Sequence, residues 1–199
     1  MSDNPALMLT LVLGSSSPFR RELLERLGLP FECHSPDIDE SARAGEAPRD
    51  LVARLSEAKA RAVAQAWPQA LIIGSDQVAV VDNEILGKPG NQEKARAQLA
   101  RLSGRSVTFL TGLCLYNSAS DRVQLDVIPY RVDFRSLTPE QIERYLEQEQ
   151  PYNCAGSFRS EALGVTLFKR MQGDDPSALV GLPLIRLVEM LAEEGVVLP

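Results

Sequence analysis

The sequence predicts an α/β fold, a mixed and twisted sheet with helices packed on it. Three observations carry that reading. Short uncharged apolar runs such as Leu71-Ile72-Ile73 alternate with longer segments whose apolar residues recur at helical spacing. Two pairs of strand-like stretches are joined by the polar turns Asp82-Asn83 and Asn117-Ser118-Ala119-Ser120-Asp121, so some neighbouring strands run antiparallel. No repeat, low-complexity tract or linker-like stretch divides the 199 residues, which read as one domain over 1–199.

The elements follow in order. Leu7 to Leu13 is a strand with both faces apolar. Gly14-Ser15-Ser16-Ser17-Pro18 breaks it and opens a helix, with Ser17 as N-cap and Pro18 at the first helical position. Leu23, Leu24 and Leu27 give that helix its buried side, and Gly28 stops it. A short strand over Phe31 to Ser35 leads into a polar loop, Pro36 to Ala47, carrying Asp37, Asp39 and Glu40. Pro48 starts a long helix with Leu51, Val52, Leu55, Ala62 and Val63 as its apolar stripe. The strand Leu71 to Gly74 ends in Ser75-Asp76-Gln77, and Val78 to Val81 pairs with Ile85-Leu86 as a hairpin. A helix from Gln92 to Leu102 is closed by Gly104. Two long strands, Ser106 to Tyr116 and Val123 to Arg135, precede a helix that Thr138 caps and that runs to Gln148. An irregular stretch from Pro151 to Gly164, a strand near Val165 to Lys169 and a helix from Leu184 to Glu194, stopped by Gly195, complete the chain.

Composition narrows function. Lys and Arg number 21 against 27 Asp and Glu, a net charge of −6, with no basic block; such a chain grips a nucleic-acid backbone poorly. A nucleotide, which needs only a few cations in one pocket, remains a suitable ligand. The single histidine, His34, excludes two-histidine zinc sites and the HExxH helix. Cys33, Cys114 and Cys154 form neither a CxxC pair nor a disulfide framework. Met1-Ser2-Asp3-Asn4 lacks the basic start of a signal peptide, and the apolar run Leu7 to Leu13 is too short to span a membrane. A cytoplasmic protein, bound neither to membrane nor to nucleic acid, is expected.

No P-loop or GxGxxG signature is present. The loop Ser15 to Arg21 joins a buried strand to a helix N-terminus, where free N–H groups, hydroxyls and Arg20 suit an anion; a capped helix with solvated arginines accounts for it as well. Lys59 lies on the apolar stripe, four residues from both Leu55 and Val63, and either snorkels or points into a cleft. Asp76 follows a strand at its carboxyl end, where open α/β sheets place ligands, or it is a turn aspartate. Asp37, Asp39 and Glu40 either hold a hard divalent cation or solvate a loop. Asp37 and Asp39 are also similar to the DxD pair of haloacid-dehalogenase phosphatases, although Pro36 and a polar lead-in replace the hydrophobic strand expected there. Lys88 sits in the rigid turn Gly87-Lys88-Pro89, or simply at an exposed hairpin end. Together these residues suit a phosphate-rich substrate with a divalent metal.

In order, the blocks Leu13-Gly14-Ser15-Ser16-Ser17-Pro18-Phe19-Arg20-Arg21-Glu22-Leu23-Leu24, Asp37-Ile38-Asp39-Glu40, Ala58-Lys59-Ala60, Ile73-Gly74-Ser75-Asp76-Gln77, Gly87-Lys88-Pro89, Cys154-Ala155-Gly156-Ser157-Phe158 and Val180-Gly181-Leu182-Pro183-Leu184 resemble the Maf family of nucleotide pyrophosphatases. The resemblance implies two lobes around a central cleft, a homodimer, and cleavage of a nucleoside triphosphate to monophosphate and pyrophosphate. It implies Asp76 as the catalytic acid–base residue, or alternatively as a metal ligand, and Glu40 as the residue holding Mg²⁺ or Mn²⁺. Ser15, Arg20, Lys59 and Lys88 are implied to bind phosphates. The trio Phe19, Gln77 and Glu161 is similar to the YceF-type branch acting on 7-methyl-GTP, which often has Trp at the first position. The branch acting on dTTP and UTP typically has Arg, Thr and Gln at these three positions. The trio suits the methylated base physically: an aromatic face attracts the cationic ring, and a carboxylate accepts from guanine N1–H and its amino group. Alternatives are another nucleotide substrate, dTTP and UTP included, or a nucleotide-binding regulator of cell division without turnover.

Overall fold

The computed structural model describes residues 9–199, so Leu7 and Met8 of the first predicted strand, like the chain start, lie outside the described residues. The strands are β1 (Thr10–Gly14), β2 (Glu32–Cys33), β3 (Ala70–Val81), β4 (Glu84–Leu86), β5 (Ser106–Asn117), β6 (Arg122–Phe134) and β7 (Phe168–Gln172). The helices are α1 (Pro18–Glu25), α2 (Pro48–Ala64), α3 (Gln92–Leu102), α4 (Pro139–Glu149), α5 (Pro176–Val180) and α6 (Leu184–Glu193). All seven strands form one mixed sheet in the order β2-β1-β3-β5-β6-β7, with β4 attached to the far end of β3. Among the described residues no helix is long and apolar enough to cross a membrane.

Strand β3 organises the molecule. One edge pairs with β5 from Leu71 to Val80. The other pairs in parallel with β1 only as far as Gly74, then antiparallel with β4 from Ala79. Between those partners Ser75, Asp76, Gln77 and Val78 have no strand beside them on that edge, and there the sheet opens into a cleft. The expectation that Asp76 follows a strand end is therefore corrected. Residues 70–81 are one strand, continuous because β5 supplies hydrogen bonds past the point where β1 stops.

Side chains alternate across β3, as strand geometry requires. On one face Ile72 and Val78 pack beneath α2. On the other, Leu71 and Ile73 join Leu23 and Leu24 of α1 and Leu187, Met190 and Leu191 of α6 in one core. Farther along that face Ala79 and Val81 join Leu99 and Leu102 of α3 and Tyr145 and Leu146 of α4 in a second core. Two apolar clusters on one face, separated at Ser75 and Gln77, are the physical content of the expected two lobes. Burying a Leu or Ile completely contributes roughly 1.5–3 kcal/mol of transfer free energy, so each cluster holds its own lobe together.

Helix α2 approaches the sheet more closely than side chains normally allow. A Cβ on Gly74 would lie 2.0 Å from the Ser56 carbonyl oxygen, and one on Gly112 would lie 2.4 Å from Ser56 Oγ and from the Val52 carbonyl oxygen. Gly112 pairs with Asp76 across the β3–β5 ladder. The two glycines make a flat patch on which α2 rests, bringing Lys59 level with Asp76. The buried side of α2 includes Ser56 and Ala60, whereas Ala62 of the predicted stripe is only half-buried.

Other differences are local. The strand predicted over Phe31 to Ser35 is reduced to Glu32–Cys33, because β1 pairs with it only as far as Leu13, whose carbonyl accepts the amide of His34 as the last bond (3.0 Å). Near Val165 the chain forms a 3₁₀ turn, Leu163–Leu167, and β7 begins only at Phe168, where β6 offers Phe134 as partner. Helix α5 was not expected. Five residues are too few to show periodicity, although its Asp175 cap and Pro176 are ordinary start signals.

Candidate active site

The opening in the sheet is the floor of a cleft of about 910 Å³. Ser15, Phe19, Arg20, Glu40, Lys59, Asp76, Gln77, Lys88 and Glu161, distant in sequence, all line it. The predicted acidic cluster is divided. Glu40 reaches the cleft, whereas Asp37 and Asp39 are not among its lining residues, and Asp39 accepts the amide of Ser41 in its own loop (2.9 Å). His34 also lies outside the lining; its Nδ1 accepts the Nε1–H of Trp67 at 3.2 Å, which leaves no serine–histidine–aspartate arrangement.

On the α2 face of β3, Asp76 is 8 % exposed and Lys59 6 % exposed. Lys59 Nζ donates to Asp76 Oδ1 at 2.7 Å and lies 3.0 Å from Glu40 Oε1. Such an ammonium is tolerated at depth only with carboxylates to compensate it. Asp76 Oδ2 accepts no hydrogen bond among the described residues. The loop carrying Glu40 is fastened to α2 by Arg54, which donates to Glu46 through Nε (2.6 Å) and Nη2 (2.7 Å) and to the Ser41 carbonyl (3.1 Å). Arg54 and the amide of Arg43 hold the Glu46 carboxyl down at about 2, below its ordinary 4.5.

The opposite face of β3 is neutral. Ser75 Oγ lies 2.8 Å from the Gly112 carbonyl oxygen and 3.0 Å from that of Gly181. Gln77 Nε2 donates toward the carbonyls of Ala178 (2.8 Å) and Leu179 (3.1 Å) and toward Thr111 Oγ1 (2.9 Å). Because a carbonyl only accepts, these neighbours fix which end of the amide is nitrogen. Arg20 reaches the same place from α1. Its Nε donates to Gly181 O (2.8 Å) and its Nη1 to Ser15 Oγ (3.4 Å), and Ser15 Oγ also accepts the amide of Ser17 (3.1 Å). Burial pushes the Arg20 guanidinium down from its ordinary value, while Asp76 and Glu40 act in the opposite direction.

The second lobe contributes Lys88, exposed in its turn and in none of the ion pairs among the described residues, and the irregular stretch after α4. That stretch carries Glu161 and a residue the sequence did not single out, Arg159. The Arg159 guanidinium carbon lies 5.2 Å from the centre of the Phe19 ring. Its Nη1 is 3.1 Å from Glu149 Oε1 and its Nε 3.5 Å from Glu161 Oε1. Cys154 also lines the cleft; burial, with Glu161 and Glu149 nearby, raises its thiol above the ordinary value despite Arg159 and Lys88. A thiol shifted that way stays protonated at neutral pH and is no ready nucleophile.

Fold and cleft thus define an α/β protein whose site gathers cations around one buried carboxylate and has an aromatic side chain at its rim. The chain belongs to the Maf family: the family model described as Maf-like protein matches residues 10–194. It is 61% identical over 189 residues to a 7-methyl-GTP pyrophosphatase of Pseudomonas aeruginosa, covering 95% of this chain and 98% of that one. Similar proteins of the same name occur in Methylobacillus flagellatus, 58% identical over 94% of this chain and 97% of the relative, and in Alcanivorax borkumensis, 59% identical over 96% of each.

Proposed function

We propose that this protein, working as a single domain, hydrolyses 7-methyl-GTP to 7-methyl-GMP and pyrophosphate. The observation that carries the proposal is the convergence of Arg20, Lys59 and Lys88, from both lobes, on the cleft that holds Asp76. The names of the relatives, at about 60% identity over nearly the whole chain, support the same substrate.

In the proposed reaction Asp76 is the general base. Lys59 occupies its Oδ1, and Oδ2 takes the proton of a water that attacks the α-phosphorus. The bond between the α-phosphorus and the bridging oxygen breaks, and pyrophosphate leaves with that oxygen. Arg20, Lys59 and Lys88 neutralise the phosphate oxygens and the charge growing on the leaving group. Ser15 and the amides of its loop bind a further phosphate oxygen. Phe19, Gln77 and Glu161 select the base: Phe19 by stacking on a cationic ring, Glu161 by accepting from the N1–H and amino group, and Gln77 from its fixed amide.

A divalent cation belongs to the proposal. Among the described residues no three acidic, histidine or cysteine side chains cluster for one. Glu40, whose Oε1 lies 3.0 Å from Lys59 Nζ, is nevertheless the oxygen donor that would hold Mg²⁺ or Mn²⁺ together with the substrate phosphates. Bound there, the ion would supply charge neutralisation and a more acidic water. A homodimer is also proposed, supported by the family resemblance.

Chromatography of the products from 7-methyl-GTP, GTP, dTTP, UTP and CTP with Mg²⁺ or Mn²⁺ tests the whole. Monophosphate and pyrophosphate chiefly from 7-methyl-GTP are expected. A preference for dTTP or UTP would overturn the substrate, and binding without turnover would overturn the enzyme.

A further inference from the structure

The place proposed for the base is already filled. The Arg159 guanidinium lies over Phe19 at 5.2 Å, within range of a cation–π attraction. A planar base between the two would need about 7 Å, two layers of ordinary van der Waals contact. The same guanidinium faces Glu161, the carboxylate proposed to read the base edge. It is anchored from behind by Glu149, whose other oxygen accepts the amide of Leu163 at 3.0 Å. The Arg159 main chain is fixed as well: its amide meets the Tyr145 hydroxyl at 3.2 Å, and its carbonyl accepts from Gly164 at 3.0 Å. Any movement of Arg159 is therefore a movement of its side chain.

We infer that Arg159 is an internal occupant of the base seat, a cation that covers Phe19 and Glu161 in the free protein and that the incoming nucleotide base displaces. The inference rests on the base seat proposed above. Displacement swings the guanidinium off the ring and away from Glu161 while Glu149 retains it. A cationic 7-methylguanine then restores both a positive charge on Phe19 and hydrogen-bond donors to Glu161. The cost of displacement falls on the binding of every nucleotide and leaves the phosphate chemistry untouched. Arg159 therefore acts on KM and not on kcat.

Steady-state kinetics of Arg159→Ala and Arg159→Lys test this against the unaltered protein, on 7-methyl-GTP and on GTP. In Arg159→Ala, KM is expected to fall about threefold or more with kcat within about twofold. Arg159→Lys keeps a cation for Glu149 but loses the flat group on the ring, so its KM falls by a smaller factor; it carries the test if the alanine variant folds poorly. An unchanged KM in the folded variants would overturn the inference, and a raised KM would make Arg159 a substrate-binding residue instead. The substrate proposal is judged separately, by which nucleotide the unaltered protein hydrolyses, and the KM comparison applies to whichever that is.

Discussion

The two faces of β3 at residues 75–78 solve the burial of polar groups in opposite ways. On the α2 side, Asp76 is compensated by charge, through Lys59 and Glu40. On the α5 side, Ser75 and Gln77 are compensated by main-chain carbonyls, those of Gly112, Gly181, Ala178 and Leu179. An ion pair can exchange partners when a phosphate or a metal arrives. Hydrogen bonds to a fixed backbone leave side chains where they are. The charged face is therefore suited to chemistry and the neutral face to holding position, with Arg20 fastened to Gly181 as the joint between them.

The most severe way to break the charged face is Asp76→Asn. It is expected to lower kcat roughly 10²–10⁴-fold, with a melting temperature somewhat below the parent's because Lys59 keeps only Glu40 as a carboxylate partner; near-normal turnover would remove Asp76 as the base. Next is Gly112→Ala, which lifts α2 off the sheet and Lys59 away from Asp76. A loss of roughly 1–3 kcal/mol in denaturant unfolding should accompany lower activity. The neutral face should respond more mildly: Ser75→Ala removes one hydroxyl between two carbonyls and is expected to cost about 1 kcal/mol of stability, with kcat reduced less than tenfold.

Smaller again is Glu161→Gln, which touches neither face. It should narrow the preference for 7-methyl-GTP over GTP severalfold at unchanged stability, read as a ratio of kcat/KM values. The mildest change concerns the loop behind the charged face. The Glu46 carboxyl is lowered in the fold, so its contribution to stability is complete above the ordinary value of 4.5 and is lost as pH falls through about 2. In Glu46→Gln that part of the acid dependence disappears, and unfolding curves measured between about pH 2 and pH 6 should be flatter than the parent's.

What the sequence revealed of this comparison follows the range of each interaction. Ser15, Arg20, Lys59 and Asp76 could be singled out because each lies in a local pattern or a family block, and Glu161 through the trio it forms with Phe19 and Gln77; the fold brings all five to the cleft. The continuity of β3 was not, because Ser75-Asp76-Gln77 interrupts an apolar run and reads as a turn; only pairing with β5 shows otherwise. Gly112 was silent for the same reason, since its meaning is the backbone of a helix more than fifty residues earlier. Arg159 sits beside family block residues yet acquires its role from Phe19, Glu149 and Glu161. Glu46 carries no signal of its own in the sequence, since its role comes from Arg54 beside it.

The alternation along β3 has a bearing on how this stretch can drift. Between the last pair with β1, at Gly74, and the first with β4, at Ala79, substitutions alter what the two faces carry, but residue number is locked. Inserting or deleting one residue there would trade the faces, setting a carboxylate against the carbonyls of α5 and an amide against Lys59. A change of two would restore the parity while moving Asp76 along the strand from Gly112 and from the turn of α2 that needs it. Homologous chains should therefore keep the length of this window as strictly as they keep Asp76 itself, a constraint that a count of positions detects even where identity around it has faded.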